Sequence, residues 1–302
     1  MTLRKKLGLL TLAVSLILAA GCGTTPQESA PAESSASSAS SSASSAQPAK
    51  EEPARVIAAD DFSNLALSAP DIPVFDKYTI AQRREKGLPT ELPEIAPYRE
   101  GRVAYLTFDD GPDARNTPAI LDILKENGIK ATFYITGAQA EAHPDVVKRI
   151  YEEGHAIGNH SYDHHYEKLY PSVDGFLGQM MHTDDIIYSI IGVRPLNLRA
   201  PGGVVSQFTS AYPPALKANG YVEHDWNVSV GDAAPGNPVA QNFIDNVLTQ
   251  TEHPATAHTA IVLMHSNEGH LETVKALPEI IRVLKDKGYS FGVVTPMTPQ
   301  PW

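Results

Sequence analysis

Carboxylate and imidazole side chains follow short apolar segments in the part of the chain after residue 100. Asp109 and Asp110 follow one such segment, and His160 and His164 follow another. The four-residue spacing of the two histidines would aim both rings at one point on a helical turn. Two imidazoles and one carboxylate leave open positions for water on a metal. On ligand type alone, this set suits zinc hydrolysis and non-haem iron oxidation equally.

Three more ionisable side chains follow other apolar segments, namely Arg199, Asp232 and His265. Each has an ordinary interpretation when it is taken alone, because a single arginine is most often a surface ion pair. A single histidine is as often structural as catalytic. Together, a second carboxylate and a distant histidine supply a base and an acid, which favours hydrolysis over oxidation.

The elements that must position these side chains alternate between strands and helices. Seven apolar runs predict strands, at 103–108, 131–135, 155–158, 196–199, 221–230, 260–264 and 290–294. Helical spacing with caps and stops predicts the intervening helices, at 117–128, 144–153, 172–191, 206–219, 239–249 and 272–287. This alternation predicts an α/β fold of parallel βα units, in which functional residues gather after the carboxyl ends of the strands.

The first 53 residues indicate export and a flexible tether. Three basic residues precede residues 7–20, an apolar stretch shorter than the ~20 residues that cross a bilayer, so we predict a signal peptide. Residues 18–22 resemble a bacterial lipobox, so Cys22 is expected to carry a lipid; the alternative is an ordinary signal peptide with an incidental cysteine. The Ser/Ala-rich residues 23–53 predict a flexible linker.

Three further boundaries follow from composition. The Pro-rich residues 54–100 predict an extended lead-in that leans on the domain without regular structure. The regular pattern predicts the catalytic domain over 101–296, followed by a C-terminal tail at 297–302.

Composition narrows the possible partners. The 302 residues are 42% hydrophobic, which is enough for a core, and carry a net charge of −11. An acidic chain lacks the basic footprint that nucleic acid needs, so a neutral substrate is favoured. The single cysteine excludes intramolecular disulfides and cysteine-ligated metal sites.

Three signatures together resemble the polysaccharide deacetylases with a NodB homology domain, carbohydrate esterase family four. They are Thr107-Phe108-Asp109-Asp110-Gly111, His160-Ser161-x-x-His164 and Arg199-x-Pro201-x-Gly203. The resemblance covers about residues 100–296. It implies a distorted (β/α)7 barrel and a metal-dependent N- or O-deacetylase.

The resemblance also implies a metal site. Asp110, His160 and His164 would bind one divalent ion, with Zn²⁺ expected and Co²⁺, Ni²⁺ or Mn²⁺ as alternatives. Asp109 would be the general base, and Arg199 would hold it in the ionised form.

On the acid side, the resemblance implies that His265 protonates the leaving group and that Asp232 orients His265. Backbone N–H groups after Arg199 would stabilise the oxyanion. The acetyl pocket would be lined by Leu263, Gly202 and Trp226.

Two positions depart from the family pattern. The fourth motif usually ends in Asp-Trp, whereas Asp232 is followed by Ala233, which predicts an opening in one wall of the acetyl pocket. The literal Asp225-Trp226 pair is interpreted as coincidental. Ser266 stands where the last motif usually has an aspartate. Neither change removes a ligand, the base or the acid.

The resulting expectation is a lipid-anchored deacetylase on the outer face of the bacterial cytoplasmic membrane. Its substrate would be an N-acetylated cell-wall glycan, with the N-acetylglucosamine of peptidoglycan as the expected sugar, and no protein partner is inferred. The alternatives are an O-deacetylase of acetylated xylan or a similar polymer, and a catalytically silent glycan-binding lipoprotein.

Overall fold

The computed structural model describes residues 54–99 and 101–301. The strands are Val56–Ile57 (β1), Val74–Asp76 (β2), Val103–Asp109 (β3), Thr132–Ile135 (β4), Ala156–Asn159 (β5), Arg194–Pro195 (β6), Asn197–Leu198 (β7), Val222–Glu223 (β8), Val228–Ser229 (β9), Thr259–His265 (β10) and Ser290–Gly292 (β11). The helices are Ile80–Glu85 (α1), Asn116–Glu126 (α2), Gly137–Ala142 (α3), Pro144–Glu152 (α4), Tyr166–Leu169 (α5), Val173–Ile191 (α6), Tyr212–Ala218 (α7), Ala240–Gln250 (α8) and Leu271–Asp286 (α9). Short 3₁₀ turns lie at Leu65–Leu67 and Pro254–Thr256.

The large sheet is parallel, with the strand order β8-β7-β5-β4-β3-β10-β9. Strand β3 pairs with β10 along its whole length, and its other edge is shared between β11 and β4. Leu106 and Phe108 pack in the main cluster with the helices, whereas Val103 and Tyr105 pack with Ile261 on the opposite face. Both faces of β3 are therefore buried, as its continuous apolar sequence predicted. The distorted (β/α)7 barrel and the α/β class are confirmed.

The predicted strand at 221–230 is wrong as one element. It divides into β8 and β9, which lie at the two opposite ends of the sheet order. Residues 224–227 connect them, so this segment spans the gap between the two edges of the curled sheet. The two ends of the segment pair with different strands, β8 with β7 and β9 with β10.

After residue 101, two helices were not predicted, and one was predicted too long. Helices α3 and α5 have six and four residues, which is too short for helical periodicity to stand out. The helix predicted at 206–219 is reduced to α7, because residues 206–211 form turns.

The lead-in has regular structure, contrary to the prediction. Strands β1 and β2 form a small sheet with β6, and α1 begins with Thr79, whose side chain accepts a hydrogen bond from Gln82 N. The prolines lie between these elements and do not interrupt them.

The boundaries predicted at residues 101 and 296 do not separate independent parts. Phe62, Leu65 and Val74 from the lead-in form one buried cluster with Leu196 and Met297. The described residues, 54–99 and 101–301, belong to one compact unit. Residues 297–301 are therefore part of this unit and do not form a tail.

The predicted signal peptide, Cys22 and the linker lie outside the described residues. Among the residues that the structure describes, no helix is both long enough and apolar enough to cross a membrane.

Candidate active site

Asp110, His160 and His164 meet at the carboxyl ends of β3 and β5. One donor atom of each lies within 4.8 Å of the other two. The Nε2 atoms of His160 and His164 lie 3.4 and 3.6 Å from Oδ1 of Asp110. This carboxylate oxygen is buried and has no hydrogen-bond partner among the described residues. An unpaired buried carboxylate oxygen is costly, so the arrangement fits a cation bound between the three groups.

The two histidines do not lie on a helical turn, so that expectation is wrong. Residues 160–165 form a loop between β5 and α5, and both Ser161 and His164 have left-handed backbones, with φ of 68° and 58°. Asp110 is also left-handed, with φ of 66°. Such non-glycine conformations cost free energy, and they concentrate at functional sites. Here they turn the three donor groups toward one point.

The ring of His160 is oriented by its second nitrogen. His160 Nδ1 lies 2.8 Å from the backbone carbonyl oxygen of Arg199. A proton on Nδ1 makes this hydrogen bond and leaves Nε2 free as a metal ligand, which is the usual arrangement around metal-binding histidines.

Burial and the neighbouring charges shift the pKa values of all three side chains. Burial alone would raise the pKa of Asp110, but His160 and His164 outweigh it and hold that pKa well below its usual range. Burial opposes the charge of His160, whereas Asp109 and Asp110 raise its pKa. Burial and the neighbouring His160 lower the pKa of His164. The Asp110 carboxylate is therefore ionised, which is the state in which it can bind a cation.

The Asp109 carboxylate is fixed on one side and free on the other. Arg199 Nη1 donates to Asp109 Oδ1 at 2.9 Å and to Thr107 Oγ1 at 2.7 Å. The other oxygen, Oδ2, lies 3.8 Å from His160 Nε2. Asp109 therefore presents one unshared oxygen to the candidate metal site.

The guanidinium of Arg199 is fully buried and is held by the segment that closes the sheet. Its Nε donates to the carbonyl oxygen of His224 at 2.9 Å, and its Nη2 donates to that of Asp225 at 3.1 Å. The Tyr134 ring lies 4.2 Å from the guanidinium carbon. Sequence patterns did not reveal the role of residues 224 and 225, because backbone carbonyls carry no sequence signature.

His265 and Asp232 form a second pair on the same rim. His265 lies opposite Asp109 in the β3–β10 register, and its Nδ1 lies 2.8 Å from Asp232 Oδ1. Asp232 Oδ2 accepts hydrogen bonds from His265 N and Thr273 Oγ1, both at 2.8 Å. Burial lowers the pKa of His265, but Asp232 outweighs it and raises that pKa to about 9. The pair can therefore hold a proton on His265 at neutral pH.

The predicted pocket residues lie around these groups. Leu263 is buried and lies two residues before His265 on β10. The ring of Trp226 lies 5.6 Å from the Arg199 guanidinium. A side chain at Gly202, which has φ of 76°, would collide with the Tyr166 hydroxyl. Ala233 is exposed and borders a cavity of about 390 Å³. The acetyl-pocket assignment itself stays a prediction.

Ser266, the second position that departs from the family pattern, packs in the interior of the protein. It is fully buried, and its N–H donates to the carbonyl oxygen of Asp109 at 3.1 Å. A side chain at Gly111 would collide with its hydroxyl. Ser266 therefore lies directly against the loop that carries the two aspartates.

A parallel α/β barrel with a candidate metal centre and an acid–base pair on one rim defines a class of hydrolases. Three comparisons narrow this class. The polysaccharide deacetylase family model matches residues 97–222. A peptidoglycan-N-acetylglucosamine deacetylase from Bacillus cereus is 33% identical over 234 residues, which is 75% of this chain and 83% of that protein.

Solved structures agree with this match. The polysaccharide deacetylase Bc1974 from Bacillus cereus is 35% identical with a TM-score of 0.59, over 64% of this chain and 92% of that one. A carbohydrate esterase family four (CE4) enzyme from Streptococcus mutans is 29% identical with a TM-score of 0.62, over 71% and 95%. This chain belongs to the polysaccharide deacetylase family and is a hydrolase of non-peptide carbon–nitrogen bonds.

Proposed function

We propose that this protein removes acetyl groups from the N-acetylglucosamine of peptidoglycan in a metal-dependent reaction. The observation that carries the proposal is the juxtaposition of the Asp110, His160 and His164 donors with Asp109 on one rim of the barrel. The Bacillus cereus relative, whose name states this activity, supports the substrate.

The donor set suits a divalent ion, and zinc is the best match. Two imidazole nitrogens and one carboxylate oxygen are typical of catalytic zinc sites, while Co²⁺, Ni²⁺ and Mn²⁺ also accept such ligands. When bound, the ion would polarise the acetyl carbonyl and make a water molecule more acidic.

Asp109 is the general base in this proposal. Its Oδ2 is the oxygen that Arg199 does not engage, so it is available to accept the proton of the attacking water. Arg199 keeps the carboxylate in place, because the guanidinium is itself fixed by two backbone carbonyls. Backbone N–H groups after Arg199 would face the oxyanion that develops on the acetyl group.

His265 is the general acid in this proposal. Its proton is retained because Asp232 stabilises the imidazolium, and transfer of that proton to the glucosamine nitrogen lets the amine leave. Leu263, Gly202 and Trp226 are proposed to enclose the acetyl methyl group.

The proposed location is the outer face of the cytoplasmic membrane. A diacylglyceryl chain on Cys22 would anchor the protein, and residues 23–53 would let the barrel reach the wall glycan. The net charge of −11 is compatible with a neutral N-acetylated sugar as substrate.

An O-deacetylase is the second candidate. The similarity to a CE4 esterase favours it, as does the exposed Ala233, which leaves the site open beside His265. An ester leaves more easily than an amide, so this reaction depends less on His265.

The test is acetate release from purified peptidoglycan by residues 50–302, with and without a chelator. Release that stops with chelator and returns with Zn²⁺ is the expected result. Absence of release from peptidoglycan, together with release from acetylated xylan, would transfer the assignment to the O-deacetylase. Glycan binding without acetate release from either polymer would indicate a silent binding protein.

A further inference from the structure

His270 lies beside the proposed acid and has no part in the reaction proposed above. Its ring stacks on that of His265, with centroids 5.0 Å apart and planes inclined by 23°. Asp232, His265 and His270 each offer one donor atom within 4.8 Å of the other two. The described residues thus hold a second group with the composition of a metal site, beside the group at Asp110.

Two further observations indicate that this second group can take a ligand. The Nδ1 atom of His270 is buried and has no hydrogen-bond partner among the described residues. Asp232 and His270 also line the cavity of about 390 Å³ that Ala233 borders, so a hydrated ion has a route to them. A buried imidazole nitrogen without a partner is costly, and a cation would satisfy it.

We propose that Asp232, His265 and His270 form a second, inhibitory site for a divalent cation of the zinc class. Two imidazoles and a carboxylate suit Zn²⁺ and leave a fourth position for water. His265 Nδ1 and Asp232 Oδ1 are already 2.8 Å apart, so small shifts would admit the ion in place of the proton between them.

Inhibition follows from the chemistry of imidazole, and this part rests on the proposed role of His265 as the acid. A cation on one ring nitrogen replaces a proton there, so His265 cannot form the doubly protonated imidazolium. The proton on Nε2 remains, but a metal-bound neutral imidazole releases that proton less readily than an imidazolium does, so the leaving amine loses its strong acid. Because general acid catalysis contributes about 10²–10⁴-fold, occupancy of this site should lower turnover by on the order of 100-fold.

The binding test is calorimetric titration of metal-free residues 50–302 with ZnCl₂. We expect two equivalents to bind to the parent chain and one to His270→Phe, which keeps an aromatic ring on His265 but offers no ligand. His258→Ala is the matched control, because it removes an exposed imidazole next to the opposite end of β10, and it should bind two equivalents. One equivalent in the parent, or two in His270→Phe, would overturn the site.

The activity test compares turnover with two equivalents of Zn²⁺ to turnover with one, within each variant. In the parent and in His258→Ala, turnover with two equivalents should be on the order of 100-fold lower than turnover with one. In His270→Phe, the two values should be nearly equal. An unchanged ratio in a parent that binds two equivalents would overturn the inhibitory role. The calorimetric result does not need turnover, so failure of the proposed deacetylase function remains distinguishable from failure of the second site.

Discussion

Arg199 connects the two halves of the candidate site. Its side chain fixes Asp109, and its backbone carbonyl orients His160. A displacement of this one residue would therefore change the position of the proposed base and the direction of a proposed metal ligand together. Burying an arginine without partners costs much free energy. The hydrogen bonds from the guanidinium to the carbonyl oxygens of His224 and Asp225 offset this cost.

Replacement of the proposed base should separate catalysis from metal binding. Asp109→Asn keeps the shape of the side chain but cannot accept the proton of the attacking water. We expect turnover to fall about 10²–10⁴-fold, while zinc affinity measured by calorimetry changes little. Asp245→Asn, on the exposed face of α8, is the control and should retain parental turnover. Parental activity in Asp109→Asn would exclude this role.

The pH dependence should report His265. The acid works only when protonated, and its pKa is about 9, so kcat/KM should hold through neutral pH and fall as the pH rises through about 9. Asp232→Asn removes the carboxylate that raises this pKa, so the alkaline limb should move to lower pH. A pH–rate profile of both proteins measures the shift. An alkaline limb that does not move in Asp232→Asn would contradict the assignment.

At the scale of elements, the sequence predicted the strand ends better than the connections. Asp109, His160 and His265 were found because each lies at or directly after the carboxyl end of a largely buried strand, and this local pattern determines where polar groups emerge. The division of residues 221–230 could not be found in this way. Strand β8 pairs with β7 and β9 pairs with β10, so the difference between one strand and two depends on partners that are distant in the chain.

The lead-in was misjudged for a related reason. Its short elements are stabilised by a buried ion-pair network and not by local periodicity. Arg83 and Arg194 both contact Asp76, and Arg194 also contacts Asp184. Asn159, the residue before the proposed ligand His160, donates to Asp184 at 2.7 Å. This network joins the lead-in to the loop of the candidate metal site.

Removal of the central cation of this network should be strongly destabilising. Arg194→Met leaves the buried Asp184 without its cation and Asp76 with Arg83 alone, so the free energy of unfolding should fall by about 3–5 kcal/mol. Urea unfolding of residues 50–302 measures the change. Arg282→Met breaks an exposed ion pair on α9 and should cost no more than about 1 kcal/mol. Equal losses of unfolding free energy in the two variants would show that the buried network stabilises the fold no more than an exposed ion pair does.

At the scale of the whole molecule, the lead-in and the barrel should form one cooperative unit. A chain that begins at residue 101 would expose Leu196 and Met297, which Phe62, Leu65 and Val74 cover. It would also leave Arg194 without Asp76. We expect this shortened chain to lose cooperative thermal unfolding, whereas residues 50–302 unfold in a single transition. A cooperative transition in the shortened chain would restore the boundary that composition predicted.

The proposed anchor determines where the whole molecule can act. A single acyl chain gives only marginal membrane binding, whereas the two chains of a diacylglyceryl group on Cys22 hold a protein stably. Cys22→Ser should therefore move the protein from the membrane fraction to the soluble fraction of the exporting cell, with the specific acetate release of the barrel unchanged. The linker variant Ser42→Cys in the Cys22→Ser background is the control, because it restores a thiol outside the lipobox and should not restore the membrane fraction. Persistence of Cys22→Ser in the membrane fraction would show that residues 7–20 or the barrel itself hold the protein there. It would contradict the proposed lipid anchor on Cys22.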